Sequence, residues 1–331
     1  MRCTASAISY GASSRPPPNG DCPNQPATSP VAPLIQWADL AICHMETPIG
    51  APGAPAGWFG QSPFGGGLLL APYEMADAVQ RTGFDRCSTA SNHSYDMGAE
   101  GITSTLAAFD DAGVGHSGTA RTAEEAVPQV FTVKGVRVAH LAYTWGLNTE
   151  SPADPWMVND TSDPVVVAAA VDAARAAGAE IVILSLHAPY EMGRVPSPVE
   201  RDFVKGVVER ARVDLVIRQG PHVIQPVGRV NGTLVYWSVG NLVTGMGMPG
   251  DGRFSDERTL DGLLATVRFT ETATPGVFTA DPWTAVLCSD RNQRTVYPAT
   301  ITLDHPWTPP ELRDQLVACI MRTREVEPTA S

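Results

Sequence analysis

The chain lacks several features that would assign it to a common class at once. It has no run of about 18 apolar residues, the length that a membrane-spanning helix needs. Its start, MRCTASAISYGASSRPPPNG, contains no apolar core of the kind that a signal peptide carries. The sequence as it stands therefore predicts a cytoplasmic protein without a membrane span.

Basic residues are also scarce. The chain has 23 Lys and Arg against 35 Asp and Glu, which gives a formal net charge of -12. Because this charge would repel a nucleic-acid backbone or an anionic membrane surface, we expect neither as a partner.

Two kinds of cysteine and serine motif are absent. The six cysteines contain no CxxC pair and lie at Cys3, Cys22, Cys43, Cys87, Cys288 and Cys319. Since Cys43 and Cys87 fall inside apolar, strand-like runs, the sequence favours buried free thiols over a disulfide framework or a zinc knuckle. There is no GxSxG motif either, so nothing indicates a serine nucleophile.

What the chain does have is enough apolar sequence for a large core, 43% of 331 residues. Residues 1–30 are rich in Ser, Pro, Gly and Asn without periodicity and predict a disordered tail. Residues 31–331 alternate strand and helix patterns and contain two hairpins, predicted to turn at Lys134–Gly135 and at Asn231–Gly232. This order predicts one layered α/β domain with parallel and antiparallel pairing. Further strands are predicted at 39–46, 84–91, 180–187 and 214–220, and helices at 72–83, 98–113, 164–178, 198–212 and 309–325.

Four apolar strands end in residues that bind metals or move protons. DLAICHME ends at Glu46, FDRCSTASNH ends at Asn92 and His93, EIVILSLH ends at His187, and DLVIRQGPH ends at His222. In open α/β sheets, ligands bind beyond the carboxyl ends of the strands, so these residues are expected to share a crevice. Each alone is more often a hydrogen-bonded turn residue, and the convergence of all four favours a site.

The chemistry of this set indicates a hydrolytic metal site. Carboxylate, amide and imidazole ligands without thiolate suit manganese, iron or zinc, with one ion or with two ions that clamp a phosphoester. Asn92 would then bind metal, His93 would transfer the proton, and Asp96 would orient His93.

A Gly- and Pro-rich stretch, residues 50–67, follows Glu46. It contains Trp58, Phe59 and Phe64, which are unusual in a plain linker. Two interpretations stay open: an irregular surface loop, or a lid over the crevice.

The blocks ADLAICHMETPI, SNHSYDMG, SLHAPYE and HVIQPVGRVNGTLVYWSVGN, in this order, resemble the CapA capsule-synthesis family. The resemblance covers residues 31–245. It implies a metallophosphatase-like, calcineurin-type α-β-β-α sandwich with mixed sheets and a role in capsule or poly-gamma-glutamate biosynthesis. It further implies that Glu46, Asn92, His187 and His222 match metal ligands and that His93 matches the proton donor.

Three departures from the family pattern stand out. The family begins with a strand that ends in Gly-Asp, and no apolar strand precedes Gly20 and Asp21 here, so the first strand is expected to be missing. Gly220 occupies the first position of a His-x-His motif. Pro189 stands where the family has a flexible glycine.

Two functions follow as alternatives. One is a metal-dependent phosphoesterase-like enzyme with a polymer or small phosphoester substrate. The other is a non-catalytic module that binds an anionic polymer or a capsule-synthase partner, with Arg218 and Gln219 contacting carboxylates and Glu191 as a further site residue. The resemblance implies the cell envelope as location if the natural chain starts upstream.

Overall fold

The computed structural model describes residues 1–8, 27–188, 190–246, 255–291 and 295–330. Its centre is a pair of mixed β-sheets that pack face to face. The strands of the first sheet are β1 (Arg2–Ile8), β2 (Leu40–Met45), β5 (Arg86–Ser88), β6 (Gly115–Ser117), β13 (Asp261–Glu271), β14 (Phe278–Ser289) and β15 (Val296–Pro298). They lie in the order β15-β14-β13-β1-β2-β5-β6.

The second sheet carries both predicted hairpins. Its strands are β7 (Val130–Val133), β8 (Val136–Thr144), β9 (Ile181–His187), β10 (Leu215–Gln219), β11 (Ile224–Val230) and β12 (Thr233–Val239), in the order β11-β12-β10-β9-β8-β7. Lys134 and Gly135 at one turn, and Asn231 and Gly232 at the other, have the positive φ angles that tight hairpin turns require. Both turns are therefore where the sequence predicted them.

Helices cover the outer faces of the two sheets. α1 (Ala32–Gln36), α2 (Glu74–Thr82) and α3 (Gly98–Ala112) pack on the first sheet through an apolar cluster that includes Ile35, Val79 and Phe109. α4 (Pro164–Ala176) and α5 (Pro198–Val208) cover the second sheet through a cluster that includes Val171 and Val204. The α-β-β-α sandwich predicted from the sequence is thus confirmed.

The C-terminal helices pack against the same body. A 3-10 turn (Glu257–Leu260) precedes β13, and α6 (Ala299–Asp304) and α7 (Pro310–Arg324) follow β15. α7 buries Leu316, Cys319 and Ile320, as its amphipathic pattern predicts. Among the described residues, no helix is long and apolar enough to cross a bilayer.

The prediction that the first strand is missing was wrong. Residues 2–8, assigned from the sequence to a disordered tail, form β1, which pairs in parallel with β2 and antiparallel with β13. Its sequence, RCTASAI, contains small and hydroxylated side chains and so lacked the apolar signal of a central strand. Residues 9–26, which include Gly20 and Asp21, lie outside the described residues.

The prediction of free thiols was wrong for four cysteines. Cys43 on β2 and Cys87 on β5 are directly opposite in register, with Cα atoms 4.4 Å apart, and form a disulfide. A second disulfide joins Cys288 on β14 to Cys319 on α7. Spacing along the chain could not reveal either pair, because strand register and helix docking create the proximity. Cys3 is buried and free, as predicted, and Cys22 lies outside the described residues.

Candidate functional site

Three of the predicted ligands meet at the carboxyl ends of β2 and β9. Glu46 follows β2 and is 5% exposed. Its Oε1 lies 3.5 Å from His222 Nε2 and 3.9 Å from His187 Nε2. The structure therefore brings one carboxylate and two imidazoles from separate segments into one buried cluster.

The electrostatics of this cluster keep Glu46 ionised. Burial raises the pKa of Glu46, but the surrounding histidines, with His222 foremost, outweigh it and bring the pKa down to about 2. Burial lowers the pKa of His187 well below its usual value. A carboxylate beside neutral imidazole is the protonation state in which both groups can donate electron pairs to a cation.

His44 and Ser88 stand behind His187. His187 Nδ1 lies 3.1 Å from His44 Nε2, and His44 Nδ1 lies 2.6 Å from Ser88 Oγ. If His187 presents an unprotonated Nε2, its Nδ1–H must donate to His44, and His44 must in turn donate to the serine hydroxyl. The two inner contacts thus fix the tautomer of His187. His44 was not predicted as a site residue, although its spacing of two from Glu46 puts both on one strand face.

His222 is oriented in a similar way. Its Nδ1 lies 3.1 Å from Asn241 Oδ1, and the Asn241 amide donates to the backbone carbonyls of His222 and Thr259. His222 also has a φ of 59°, a left-handed conformation that is uncommon outside glycine. Asn241, two residues after β12, was not predicted as a site residue, and the VYWSVGN block was its only signal.

Asn92 supplies an oxygen without a protein partner. Its Oδ1 is fully buried and accepts no hydrogen bond from the described residues, while its Nδ2 donates to Asn148 Oδ1 at 3.2 Å. A second contact, from the Asn148 backbone N–H to the Asn92 carbonyl, ties the two residues together at 2.8 Å. Because a buried unsatisfied acceptor is costly, this oxygen fits a missing ligand such as a cation.

His93 and Asp96 form the predicted pair. His93 Nδ1 lies 2.7 Å from Asp96 Oδ2, which also accepts the Leu69 backbone N–H at 2.7 Å. Burial lowers the pKa of His93, but the hydrogen bond and charge of Asp96 outweigh it, so the pKa is raised. Asn148 Nδ2 lies 3.4 Å from each ring nitrogen of His93 and so sits over the ring.

Residues 50–71 form a hairpin beside this pair. β3 (Gly57–Gln61) pairs with β4 (Gly67–Leu70), and Leu69 of β4 makes the contact to Asp96. Ser62 donates to the Asn148 carbonyl. Trp58, Phe59 and Phe64 are exposed on this hairpin. The stretch is thus an ordered hairpin attached to the site, which favours the lid interpretation.

Gly220 lies where the sequence predicted the loss of a histidine, and its backbone leaves no room for a side chain. Its φ is 110°, and a Cβ at this position would lie 2.1 Å from the Ala188 carbonyl oxygen. No side chain fits unless the segment after His187 moves. The backbone conformation at Gly220 therefore excludes a ligand side chain at this position. Pro189, predicted to alter that path, lies outside the described residues.

The remaining candidates divide by strand face. Arg218 is fully buried in an ion pair with Glu200 and donates to the Trp237 carbonyl, so the prediction that it contacts a polymer was wrong. Alternation along β10 sends Arg218 toward α5 and leaves Gln219 beside His187, its register partner on β9. Gln219 Oε1 is buried and unpartnered among the described residues. Glu191 is an exposed turn residue whose charge acts on His93.

A tighter group of donor atoms lies elsewhere and is not a metal centre. Among the described residues, Asp261, Cys288 and Cys319 are the one group of three His, Cys, Asp or Glu whose donor atoms all lie within 4.8 Å of one another. The two sulfurs are bonded to each other, and Asp261 accepts two hydrogen bonds of 2.7 Å from Arg322. The cluster around Glu46 is more open, and its donor set is the one that suits a hydrolytic metal.

Comparison with known proteins identifies the family. Residues 9–246 match the family described as bacterial capsule synthesis protein PGA_cap. The chain belongs to this family. A capsule biosynthesis protein CapA of Bacillus anthracis is 29% identical over 184 residues, which are 54% of this chain and 44% of that protein. A PGA biosynthesis protein CapA of Bacillus subtilis is 25% identical over 179 residues, 53% of this chain and 46% of that protein. The aligned part thus spans less than half of each relative.

Solved structures give a more distant likeness. The calcineurin-like phosphoesterase YfkN of Bacillus subtilis matches 98% of this chain and 96% of its own at 12% identity and a TM-score of 0.48. A 5'-nucleotidase precursor of Thermus thermophilus matches 98% of this chain and 58% of its own at 13% identity and a TM-score of 0.46.

Proposed function

We propose that this PGA_cap family member is a metal-dependent hydrolase of the phosphoesterase type that acts on an anionic cell-envelope polymer or on a small phosphoester made with it. The observation that carries the proposal is the meeting of Glu46, His187 and His222, with the unpartnered Asn92 Oδ1 nearby. These four residues would hold one divalent ion, manganese, iron or zinc by the chemistry of the donors.

The residues divide the chemistry between them. A bound ion would polarise a phosphoryl oxygen and lower the pKa of water. His93 has the geometry of a general acid, since Asp96 holds its Nδ1 and favours the protonated ring. His44 and Asn241 hold the two imidazoles in the tautomer that leaves each Nε2 for the ion.

Two observations favour a non-catalytic alternative, a binding module for an anionic polymer or for a capsule-synthase partner. β1 carries no Asp or Glu, and Gly220 leaves no room for a further ligand. Fewer donors therefore remain for a second ion among the described residues, so the hydrolase proposal is for one ion.

The two disulfides support the cell envelope as location. Structural disulfides persist in oxidising compartments and are rare in the reducing cytosol. The cytoplasmic location expected from the sequence is therefore not the one we propose.

Elemental analysis of the purified chain, after incubation with manganese and removal of unbound ions, tests the metal site. We expect about one equivalent in the wild type, less than a tenth of that in the Asn92→Ala and His222→Ala double variant, and no loss in His305→Ala, an exposed histidine outside the cluster. Absence of metal from the wild type would refute the hydrolase proposal.

Hydrolysis of bis(4-nitrophenyl) phosphate by the metal-loaded chain then separates the two functions. We expect turnover that falls at least about a hundredfold in His93→Ala while the metal content stays unchanged. A full complement of metal without turnover would support the binding module instead.

A further inference from the structure

A second cavity lies in the sandwich, at the side where β5 and β6 approach β8. Its volume is about 270 Å³. Segment 115–129, which runs from β6 toward β7, supplies much of its wall. None of the predicted metal ligands lines it. The chemically active side chains on its wall are Arg86, His116, Glu125 and His140.

Arg86 is a cation on this wall that has no carboxylate partner among the described residues. Its Nη2 donates to the His116 carbonyl at 2.8 Å, and its guanidinium lies over the Phe131 ring. Its Nε is buried and makes no hydrogen bond within the described part of the chain. Burial lowers the pKa of Arg86 to about 10, against the attraction of neighbouring Asp85, so the charge is retained at neutral pH.

The other charges on the wall are already neutralised. Glu125 is paired with Arg121, and His116 lies 3.4 Å from Asp110. Among the described residues that line the cavity, Arg86 is therefore the one cation without an ion pair, and Asp85, which attracts it, does not line the cavity. A partly desolvated cation without a counter-ion is unfavourable, and a bound anion would relieve it.

His140 also lines the cavity and offers a second donor. It is 2% exposed, and its Nε2 lies 3.0 Å from Ser185 Oγ. Its Nδ1 is buried and has no partner among the described residues. In the tautomer that accepts from Ser185, the Nδ1 carries hydrogen and can donate to a ligand.

We propose that this cavity binds a small oxyanion, a molecule with one carboxylate or phosphate group, which Arg86 and His140 hold from opposite sheets. The cavity is slightly smaller than a typical drug-sized pocket, so it suits a metabolite of the size of an amino acid or an inorganic anion. The site does not depend on the metal cluster or on the proposed hydrolysis.

Isothermal titration calorimetry of the full chain, freed of metal with a chelator, tests this site with inorganic phosphate, succinate and glutamate. We expect at least one of them to bind. Binding of phosphate alone assigns a phosphoryl ligand, and binding of a carboxylate alone assigns a carboxylate ligand. Arg86→Met should weaken binding roughly tenfold to a hundredfold, because a charge-assisted hydrogen bond is lost.

Two control variants locate the site. His222→Ala should leave anion binding unchanged, whereas loss in this variant would place the anion at the metal cluster and overturn the proposal. Arg137→Gln removes an exposed arginine near the start of the same strand as His140 that does not line the cavity, so this variant should bind the anion as the wild type does.

Thermal unfolding distinguishes a ligand site from a structural arginine. Without anion, Arg86→Met should be at least as stable as the wild type, since it removes an uncompensated charge and retains the apolar stem. With anion, only the wild type should gain in melting temperature. A clear loss of stability in Arg86→Met without anion, or no anion response in the wild type, would refute the proposal.

Discussion

Among single residues, His44 orients a predicted metal ligand, His187, without being a predicted ligand itself. It lies between Ser88 and His187 and touches neither Glu46 nor Asn92 in the described contacts. Burial lowers its pKa to about 4, so it is a neutral ring at physiological pH. A neutral His44 that donates from Nδ1 to the Ser88 hydroxyl can accept at Nε2 the hydrogen on His187 Nδ1. It thereby fixes the tautomer of His187 without adding charge to the cluster.

We predict that His44→Phe weakens metal binding about tenfold to a hundredfold, because His187 loses the partner that holds its Nδ1 hydrogen. Competition with a chromophoric chelator measures the dissociation constant. His140→Phe is the matched control, since it removes another buried histidine from between the same sheets without touching His187. Equal metal affinity in the wild type and His44→Phe would show that His44 only fills space.

At Gly220 we predict that introducing the histidine of the family motif destabilises the protein. Gly220→His should not add a ligand and should lower the free energy of unfolding by more than about 3 kcal/mol, because its Cβ would overlap the Ala188 carbonyl. Chemical denaturation measures the change.

Gly232→Ala is the control for backbone strain alone. Gly232 also has a positive φ, but its Cβ would meet no atom within 4 Å, so we expect a loss of only about 1 kcal/mol. Similar losses at both glycines would contradict the steric explanation, and metal binding gained by Gly220→His would contradict the backbone argument.

At the scale of elements, the sequence predicted several strongly patterned segments well, but β13 and β14 were not predicted although both are long and largely buried. β9, with the sequence IVILSLH, is buried along its whole length and was predicted to its last residue. α5 begins at the predicted residue because Ser197, directly before Pro198, forms a capping box with Glu200 in the first turn. β1 and β6 were missed, since RCTASAI and GHS contain few of the branched or aromatic residues that mark a strand.

The site was predicted to the extent that strand ends reveal it. Glu46, His187 and His222 follow apolar runs, and the rule for carboxyl ends brought them together. His44 and Asn241 could not be placed in this way, because their roles depend on which side chains meet across the two sheets. Arg218 pairs with Glu200 because its face of β10 is turned toward α5. The sequence could not indicate this pair, because it does not reveal where α5 lies on the sheet.

The disulfide between β2 and β5 provides a prediction at this scale. Cys43→Ala with Cys87→Ala should lower the free energy of unfolding by about 4 kcal/mol, because the bond closes a loop between residues 44 apart. Denaturation of the variant and of the wild type, each without reductant, measures the difference. A non-reduced peptide map should contain the Cys43–Cys87 linkage, and free thiols at both positions would refute it.

At the scale of the whole molecule, the family match does not coincide with the folding unit. Residues 9–246 exclude β1, and they also exclude β13 and β14, which continue the first sheet beyond it. The N-terminal strand β1 therefore lies in the interior of the sheet, between β2 and β13. The sequence-based division into a tail and a domain from residue 31 was wrong for residues 2–8.

We predict that removal of residues 2–8 abolishes cooperative unfolding, because β2 and β13 would lose the strand that pairs with both. Circular dichroism during thermal denaturation measures this. Deletion of residues 273–275, which shortens the exposed turn between β13 and β14 and still leaves three residues to connect the two strands, is the control and should remain cooperative. A cooperative transition after loss of β1 would show that the strand is dispensable.

The position of β1 also sets an order for folding during synthesis. β1 can pair with β2 as soon as residue 45 has emerged, but its other edge stays open until β13 is complete at residue 271. At ribosomal rates of about 5–20 residues per second, that edge remains unpaired for roughly ten to fifty seconds. During that interval the nascent sheet exposes backbone donors and acceptors to any strand it meets, so a holdase chaperone should raise the yield of this protein more than a foldase that acts on the finished chain.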